Sequence, residues 1–453
     1  MPDRPNILFI LTGQQRWDTL DCYGSPIWPG LTPHLDRLAA EGIRFNHCFT
    51  PQPLGGPARS CLQTGLYPTQ TGCHLNDRAL PPDCATLAGM LGEAGYETAY
   101  VGKWRLATDP ADNHHTRPIP PQRRGGYRDH WMAADRLELT SHGYEGYFYD
   151  TDGQRIDWEG YRVVRTVDFA IDYLRGYARR APQKPFFLFL SILEPHQQND
   201  LDRFIGPIGS KEHCRAFRTP GDLEGLEGDW QGQMPDYLGC CASIDATMGE
   251  LREALEAMEL ADNTLIVFTS DHGCHFRTRN DGYKCSAHEA STRVPLILHG
   301  PNFQGGDVYD ELVCLLDLPP TLLRAAGLDV PAAMAGSPLQ HLADGGEQWR
   351  QDVLIQISMS QLGRALRTPR WKYAVRAPEE SFTWFDPPAA VSGYVEDLLY
   401  DLHTDPHERN NLVRDPAFAD ARRELAGILK KRLAAIGERI EITPAPAAAA
   451  GRE

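Results

Sequence analysis

Thr264-Leu265-Ile266-Val267-Phe268-Thr269-Ser270-Asp271-His272-Gly273 is the stretch whose reading decides the fold. Its first five residues are apolar or β-branched without alternation, the pattern of a strand buried on both faces, and such strands belong to parallel sheets covered by helices. The run then breaks into Ser270-Asp271-His272-Gly273, so the strand delivers polar side chains at its C-terminal end, where open α/β sheets place their sites. Two other runs behave alike: Ile7-Leu8-Phe9-Ile10-Leu11 ends at Thr12-Gly13, and Phe186-Phe187-Leu188-Phe189-Leu190 leads to Glu194-Pro195-His196. Helical patterns over Leu31 to Gly42, Ala85 to Gly95, Val163 to Tyr177 and Asp236 to Met258 lie between these runs, with a further short strand at Thr98-Ala99-Tyr100-Val101. The alternation predicts an α/β fold with a mostly parallel sheet flanked by helices.

The chain has 453 residues, too many for one small core. We read a large α/β domain over residues 4–350 and a smaller C-terminal α+β subdomain over 351–442. After Val353, Ala365-Leu366-Arg367 and Trp371-Lys372-Tyr373-Ala374-Val375 flank a turn and read as an antiparallel hairpin, and residues 416–440 read as an amphipathic helix. Residues 108–160, rich in Arg, Gly, Pro and Tyr, read as long loops over the sheet's edge. Residues 443–453, TPAPAAAAGRE, read as a disordered tail.

With 45 Lys+Arg against 61 Asp+Glu the formal charge is −16, which argues against a nucleic-acid partner while leaving room for a local basic pocket. The eleven cysteines are scattered with no CxxC pair, so neither a zinc ribbon nor a disulfide framework is suggested, and most are expected to be reduced and buried. No apolar stretch reaches membrane-spanning length. Met1 to Asn6 lacks the basic flank and cleavage site of a signal peptide, which makes the cytoplasm the default expectation. Nothing in the sequence specifies an oligomer.

Five ordered blocks, RPNILFILTGQQRWDTLDCYG, PQPLGGPARSCLQTGLYPTQTG, AYVGKWRLA, EPHQQND and FTSDHGCHFRTRNDGYKCSAHEASTRVPLILHGP, resemble the signature blocks of type I sulfatases and phosphonate monoester hydrolases of the alkaline phosphatase superfamily. The C-terminal LLYDLHTDPHERNNL resembles the block that opens that family's last helix, so the likeness spans about residues 4 to 440. The resemblance implies an alkaline-phosphatase-like fold and a divalent metal held at the ends of the first and later strands. It also implies a cysteine converted to formylglycine as nucleophile, with Lys, His and Arg side chains around an anionic ester, as such chemistry requires.

Carried over residue by residue, the resemblance puts Gly13 where the family has an Asp ligand and Gly55 where it has the nucleophilic Cys. Arg105 stands where it has a His, a permanent cation in place of a group that titrates near neutrality. Cys61, two residues beyond the block's Arg59, is a poor substitute nucleophile. Lys103, Arg105, His196 and Lys284 are the candidate catalytic residues, with Arg59, Gln14, Asp271, His272, His288 and Asn199 as candidate substrate contacts. No cofactor is expected: a hard cation wants several anionic oxygens, so Ca or Mg would bind only weakly at Gln14, Asp271 and His272.

The remaining charges predict a mainly positive pocket for a small anion, a sulfate or phosphate ester. Three functions fit. The pocket assists non-hydrolytic loss of the sulfate or phosphate by elimination or intramolecular displacement, or it only binds, as an inactive pseudo-sulfatase or scaffold, or it retains residual hydrolysis by water. Plainer readings stand beside these residues. Asp271-His272-Gly273 also suits a simple turn, His196 a hydrogen-bonded loop histidine, Lys284 and His288 an ordinary surface, and Asn199 and Asp200 a helix cap. His114-His115 reads as a solvent-exposed loop, because adjacent residues point apart and no third ligand is evident. Arg277 and Arg279 either add to the pocket or cover it.

Overall fold

The computed structural model describes residues 4–24, 27–180, 184–343, 349–381, 383 and 386–445. Five parallel strands form the middle of the main sheet, in the spatial order Thr264–Ser270, Asn6–Thr12, Phe186–Ser191, Glu97–Lys103 and His130–Ala134. Antiparallel strands continue the sheet on both sides, with Leu296–His299 beside 264–270 and Glu145–Tyr149 beside 130–134. The predicted α/β class and mostly parallel sheet hold.

The unbroken apolar runs have a direct cause. Ile7, Phe9 and Leu11 join the apolar core on one face of the sheet, and Leu8 and Ile10 join the core on the other. Each such side chain stabilises by roughly 1.5–3 kcal/mol when fully buried, so a charge at Ile10 would disrupt the helix-packed face. Gly102, with φ +108°, lies where the strands 97–103 and 186–191 come closest: a Cβ there would sit 1.9 Å from Ser191 O. Only glycine permits that approach, which sets the following Lys103 at the sheet's C-terminal edge.

Residues 108–160 differ from the expectation of loops. His130–Ala134 is a parallel strand in register with 97–103, Lys103 facing Ala134, and Glu145–Tyr149 pairs with Arg155–Glu159 as a hairpin. The strand at 130–134 is short and closely followed by charged residues, which dilutes its apolar signal, yet Trp131 is buried in an aromatic cluster with Tyr100 and Trp104. Helix Trp230–Ala257 starts six residues before the expected Asp236 and runs through Pro235.

The smaller C-terminal subdomain is a five-stranded sheet. Strands 353–357, 363–367, 371–376 and 393–401 are antiparallel, and Glu441–Thr443 adds in parallel. Helix Ala419–Ala435, shorter than the expected 416–440, covers the sheet with Leu425, Leu429 and Leu433. Thr443 is thus part of a strand, and the Ala445 N–H donates to Glu396, so the ordered chain runs past the expected start of the tail; 446–453 lie outside the described residues. Lys372, fully buried, joins the two sheets through Glu289 at 2.9 Å and Glu408 at 3.4 Å. Among the described residues no helix is long and apolar enough to cross a membrane.

Candidate functional site

The C-terminal ends of the parallel strands converge on a cavity of about 1190 Å³. Strand 97–103 delivers Lys103, the turn after 186–191 delivers His196, and the loop after 264–270 returns Lys284; all three line the cavity, Lys103 and His196 buried and Lys284 half-buried. Gly55 lines it too, as the first residue of helix Gly55–Thr64.

Lys284 Nζ lies 2.7 Å from His196 Nε2, while His196 Nδ1 lies 2.7 Å from Gln197 O. The ring therefore donates through Nδ1 and accepts the lysine's proton at Nε2. Burial, with Lys284 and Lys103 nearby, pushes the His196 pKa well below its usual value, which keeps the ring neutral. Burial also lowers Lys284. Lys103 Nζ sits 3.2 Å from Glu138 Oε2. Burial pulls the Lys103 pKa down to about 7, with Arg59, Arg105 and Lys284 adding to the fall and Glu138 opposing it. Burial alone would raise Glu138, but Lys103, Arg105 and His196 hold it well below the usual carboxylate range.

Behind this front lies a supporting layer. Arg59 donates to Lys103 O at 3.0 Å, Ser191 Oγ at 2.6 Å and Asp271 Oδ2 at 3.3 Å. Asp271 Oδ1 accepts the Gln14 N–H at 2.9 Å. Burial would raise the Asp271 pKa, yet His272, Arg59, Lys103 and Lys284 keep it lowered. His272, fully buried, has Nδ1 3.0 Å from Gly273 O, and burial lowers it to about 3. Gln14 and Arg105 have φ of 67° and 68°. For residues with a Cβ this left-handed region costs about 1–2 kcal/mol, a strain that tends to gather at functional sites.

Several expectations change. Arg59, Gln14, Asp271 and His272 are 0–1% exposed and lie behind the cavity lining, where Arg59 bonds Lys103 O and Asp271. His288 packs its ring on Tyr400, Nε2 3.2 Å from the phenol oxygen, at the contact with the C-terminal subdomain and away from the cavity lining. Arg105 lines the cavity but donates to Asp77 at 2.7 Å, which offsets its charge. Among the described residues the cavity is nearly balanced rather than mainly positive, with six cationic side chains against five carboxylates. Asn199 is on the lining, and Asp200 accepts from Gln198 and His142 instead. His114 is buried, and His115 reaches Asp77 at 2.8 Å, so that pair is not a solvent-exposed loop. Arg277 lines the cavity while Arg279 bonds the carbonyls of His407 and Glu408 outside it. Cys61 is fully buried among apolar side chains, and burial raises its pKa far above the usual thiol range, which removes it as a nucleophile.

Sequence reasoning missed Glu138, Arg136 and Asp77. The first two follow strand 130–134 just as Asp271 follows 264–270, so recognising that fourth strand would have found them.

The sulfatase family model matches residues 5–328, and the model for the N-sulphoglucosamine sulphohydrolase C-terminal region matches 283–436. The chain belongs to the sulfatase family. The ulvan-active sulfatase of Formosa agariphila is 30% identical, the match covering 96% of this chain and 82% of that protein. The N-acetylglucosamine-6-O-sulfatase of Bacteroides thetaiotaomicron is 26% identical, covering 94% and 86%. The crystal structure of yidJ, a sulfatase-type protein of Bacteroides fragilis, superposes with a TM-score of 0.80 at 26% identity, covering 96% of each chain.

Sulfatases typically use an active-site Ca or Mg, so the fit of such an ion to this chain matters. The acceptors available are Asp271, Gln14 Oε1 and His272 Nε2, the last two buried without hydrogen-bond partners. Asp271 is the single anion among them, its Oδ2 already 3.3 Å from Arg59, and among the described residues no group of three or more His, Cys, Asp or Glu side chains gathers. A hard divalent cation takes six or more oxygens, and this set offers it one carboxylate that is already shared with Arg59, a poor set of donors for such an ion.

Proposed function

We propose that this sulfatase-family protein binds a sulfate or phosphate ester at Lys103 and Lys284 and promotes its loss by elimination, with no metal and no protein nucleophile. The observation carrying this reading is the juxtaposition of two lysine amines, Lys103 and Lys284, and a neutral histidine beside Gly55, a residue with no side chain to attack. A formylglycine cannot form there. The positions of Gly13 and Gly55 accord with loss of the hydrolytic apparatus, while the groups that hold an anion persist.

In the reaction we propose, neutral Lys103 Nζ takes a proton from the carbon next to the ester-bearing carbon. The C–H electron pair becomes the new C=C bond, and the C–O pair leaves with the sulfate dianion, which Lys284 steadies. The lysine ends protonated and the chemistry balances without a co-reactant. A basic group with a pKa near the working pH suits proton abstraction, and fixed donors suit a departing anion. Likeness to enzymes named for sulfated sugars supports a sulfated saccharide as the ester.

The test is turnover of sulfated saccharides in ¹⁸O-labelled water, with the released sulfate read by mass spectrometry. Elimination leaves the sulfate unlabelled and gives an unsaturated product. Labelled sulfate would mean residual hydrolysis, and binding of inorganic sulfate with no turnover of any ester would mean a binding protein; either result overturns elimination.

A further inference from the structure

Four arginines line the cavity, and three of them are spent on carboxylates. Arg78 donates to Asp386, Arg105 to Asp77, and Arg277 to both oxygens of Asp202 at 2.6 Å while stacking over the Tyr283 ring. Arg136 is different. Among the described residues its guanidinium donates no hydrogen bond, its Nε is buried without a partner, and its nearest carboxylate oxygen, Glu138 Oε1, is 3.5 Å away. The side chain is 25% exposed and faces the cavity.

We infer that Arg136 is a second anion subsite, and that the ligand is an ester carrying another negative group, a carboxylate, about one sugar ring away from the sulfate or phosphate. The placement sets that spacing. Glu138 lies between the two subsites, with one oxygen toward Lys103 at 3.2 Å and the other toward Arg136 at 3.5 Å, so the cations are separated by little more than one carboxylate and two contacts. Glu138 and Asp77 would repel a carboxylate if unopposed, but Lys103 faces the first, and Arg105 and His115 hold the second at 2.7 and 2.8 Å. Arg136 keeps its fork for a ligand, and a guanidinium binds a carboxylate through two parallel donors.

The loop holding Arg136 is fixed. Asp135 O accepts the Arg105 N–H at 2.8 Å, and the Asp135 carboxylate accepts the Ala107 N–H at 2.9 Å and the Thr108 hydroxyl at 2.6 Å. A preset donor loses less entropy on binding than a mobile one. The inference rests on the proposed ester-binding function.

Titration calorimetry with three probes tests it: inorganic sulfate, a neutral hexose sulfate and a uronic acid sulfate. The wild type should bind the uronic acid sulfate about 10- to 100-fold more tightly than the hexose sulfate, the range for hydrogen bonds to charged groups. R136Q should erase that preference, and R136K should restore part of it. Sulfate binding without a preference for the uronate in the wild type overturns the inference alone, as does a preference that survives in R136Q. Absence of sulfate binding by the wild type overturns the proposed function as well.

Discussion

Gly13→Ala and Gly55→Ala add the same methyl group to two glycines of one site, and the surroundings predict opposite outcomes. A Cβ on Gly13 would lie 2.5 Å from Leu193 O, closer than real Cβ atoms come. That carbonyl cannot simply swing aside, because the next residue's carbonyl, Glu194 O, accepts the Gly13 N–H at 3.1 Å. Relief needs a backbone shift, a kind of overpacking that costs about 1–3 kcal/mol. A Cβ on Gly55 meets only Asp271 Oδ2 at 3.5 Å, an ordinary contact. Replacing a helical glycine by alanine there contributes about 0.4–1 kcal/mol through the unfolded state. At roughly 2.1 cal/mol/K of unfolding entropy per residue, 1 kcal/mol corresponds to about 1–2 °C in a domain of this size. Scanning calorimetry at a fixed scan rate should therefore find Gly13→Ala melting about 2–5 °C below the wild type, and Gly55→Ala level with it or up to about 2 °C above. Circular dichroism before the scan checks that both are folded. A Gly13 variant as stable as the wild type, or a Gly55 variant lowered equally, would refute the reasoning. The consequence reaches function: the Cβ of a Gly55→Cys variant fits as the chain stands, whereas that of Gly13→Asp requires the 193–196 turn to move.

Sulfate affinity should be greatest below about pH 7 and fall as Lys103 loses its proton above it, because the charged amine attracts the anion and the neutral one does not; calorimetric affinities unchanged from pH 6 to 8.5 would count against this. Glu138→Gln should move that midpoint to lower pH, since Glu138 is the neighbour that favours the charged lysine, and should tighten sulfate binding below it; an upward shift would contradict the assigned coupling. Arg59→Met strips the charge that faces Asp271 where both are about 1% exposed, and should cost about 3–5 kcal/mol, read as a lower melting temperature or loss of soluble protein. Saturating Ca or Mg should shift the melting temperature by less than about 1 °C, because a ligand stabilises only in proportion to its affinity; a rise of several degrees would show that the donor set suffices after all.

What the sequence discloses, and what it hides, follows from how each feature is encoded. The strands at 6–12, 186–191 and 264–270 are legible because both their faces are buried, which demands uninterrupted apolar residues that no other element of that length requires. The strand at 130–134 has only five residues, starts with His130 and leaves His130 and Met132 half-buried, and its neighbours Asp129, Asp135 and Arg136 carry charge, so it passes for loop; with it went Glu138 and Arg136. Lys103, His196 and Lys284 were found because they follow recognisable strands or sit in a signature block. Arg59, Gln14, Asp271 and His272 stand in the same blocks yet lie behind the cavity lining, since sequence marks a position without saying which side of a cavity wall it occupies.

The partners of the cations explain why the pocket's charge could not be summed from sequence. Arg105 was counted as a free positive charge, yet its left-handed backbone turns the guanidinium onto Asp77, a residue 28 positions earlier that no signature block contains. Lys103 was counted as fully charged, yet burial and its cationic neighbours leave it titrating near neutrality. Both effects depend on which distant residues burial brings together, and burial acts against charge whatever its sign. In the proposed elimination Lys284, hydrogen-bonded to the neutral His196, holds the leaving anion, while Lys103, between Glu138 and three cations, takes the proton.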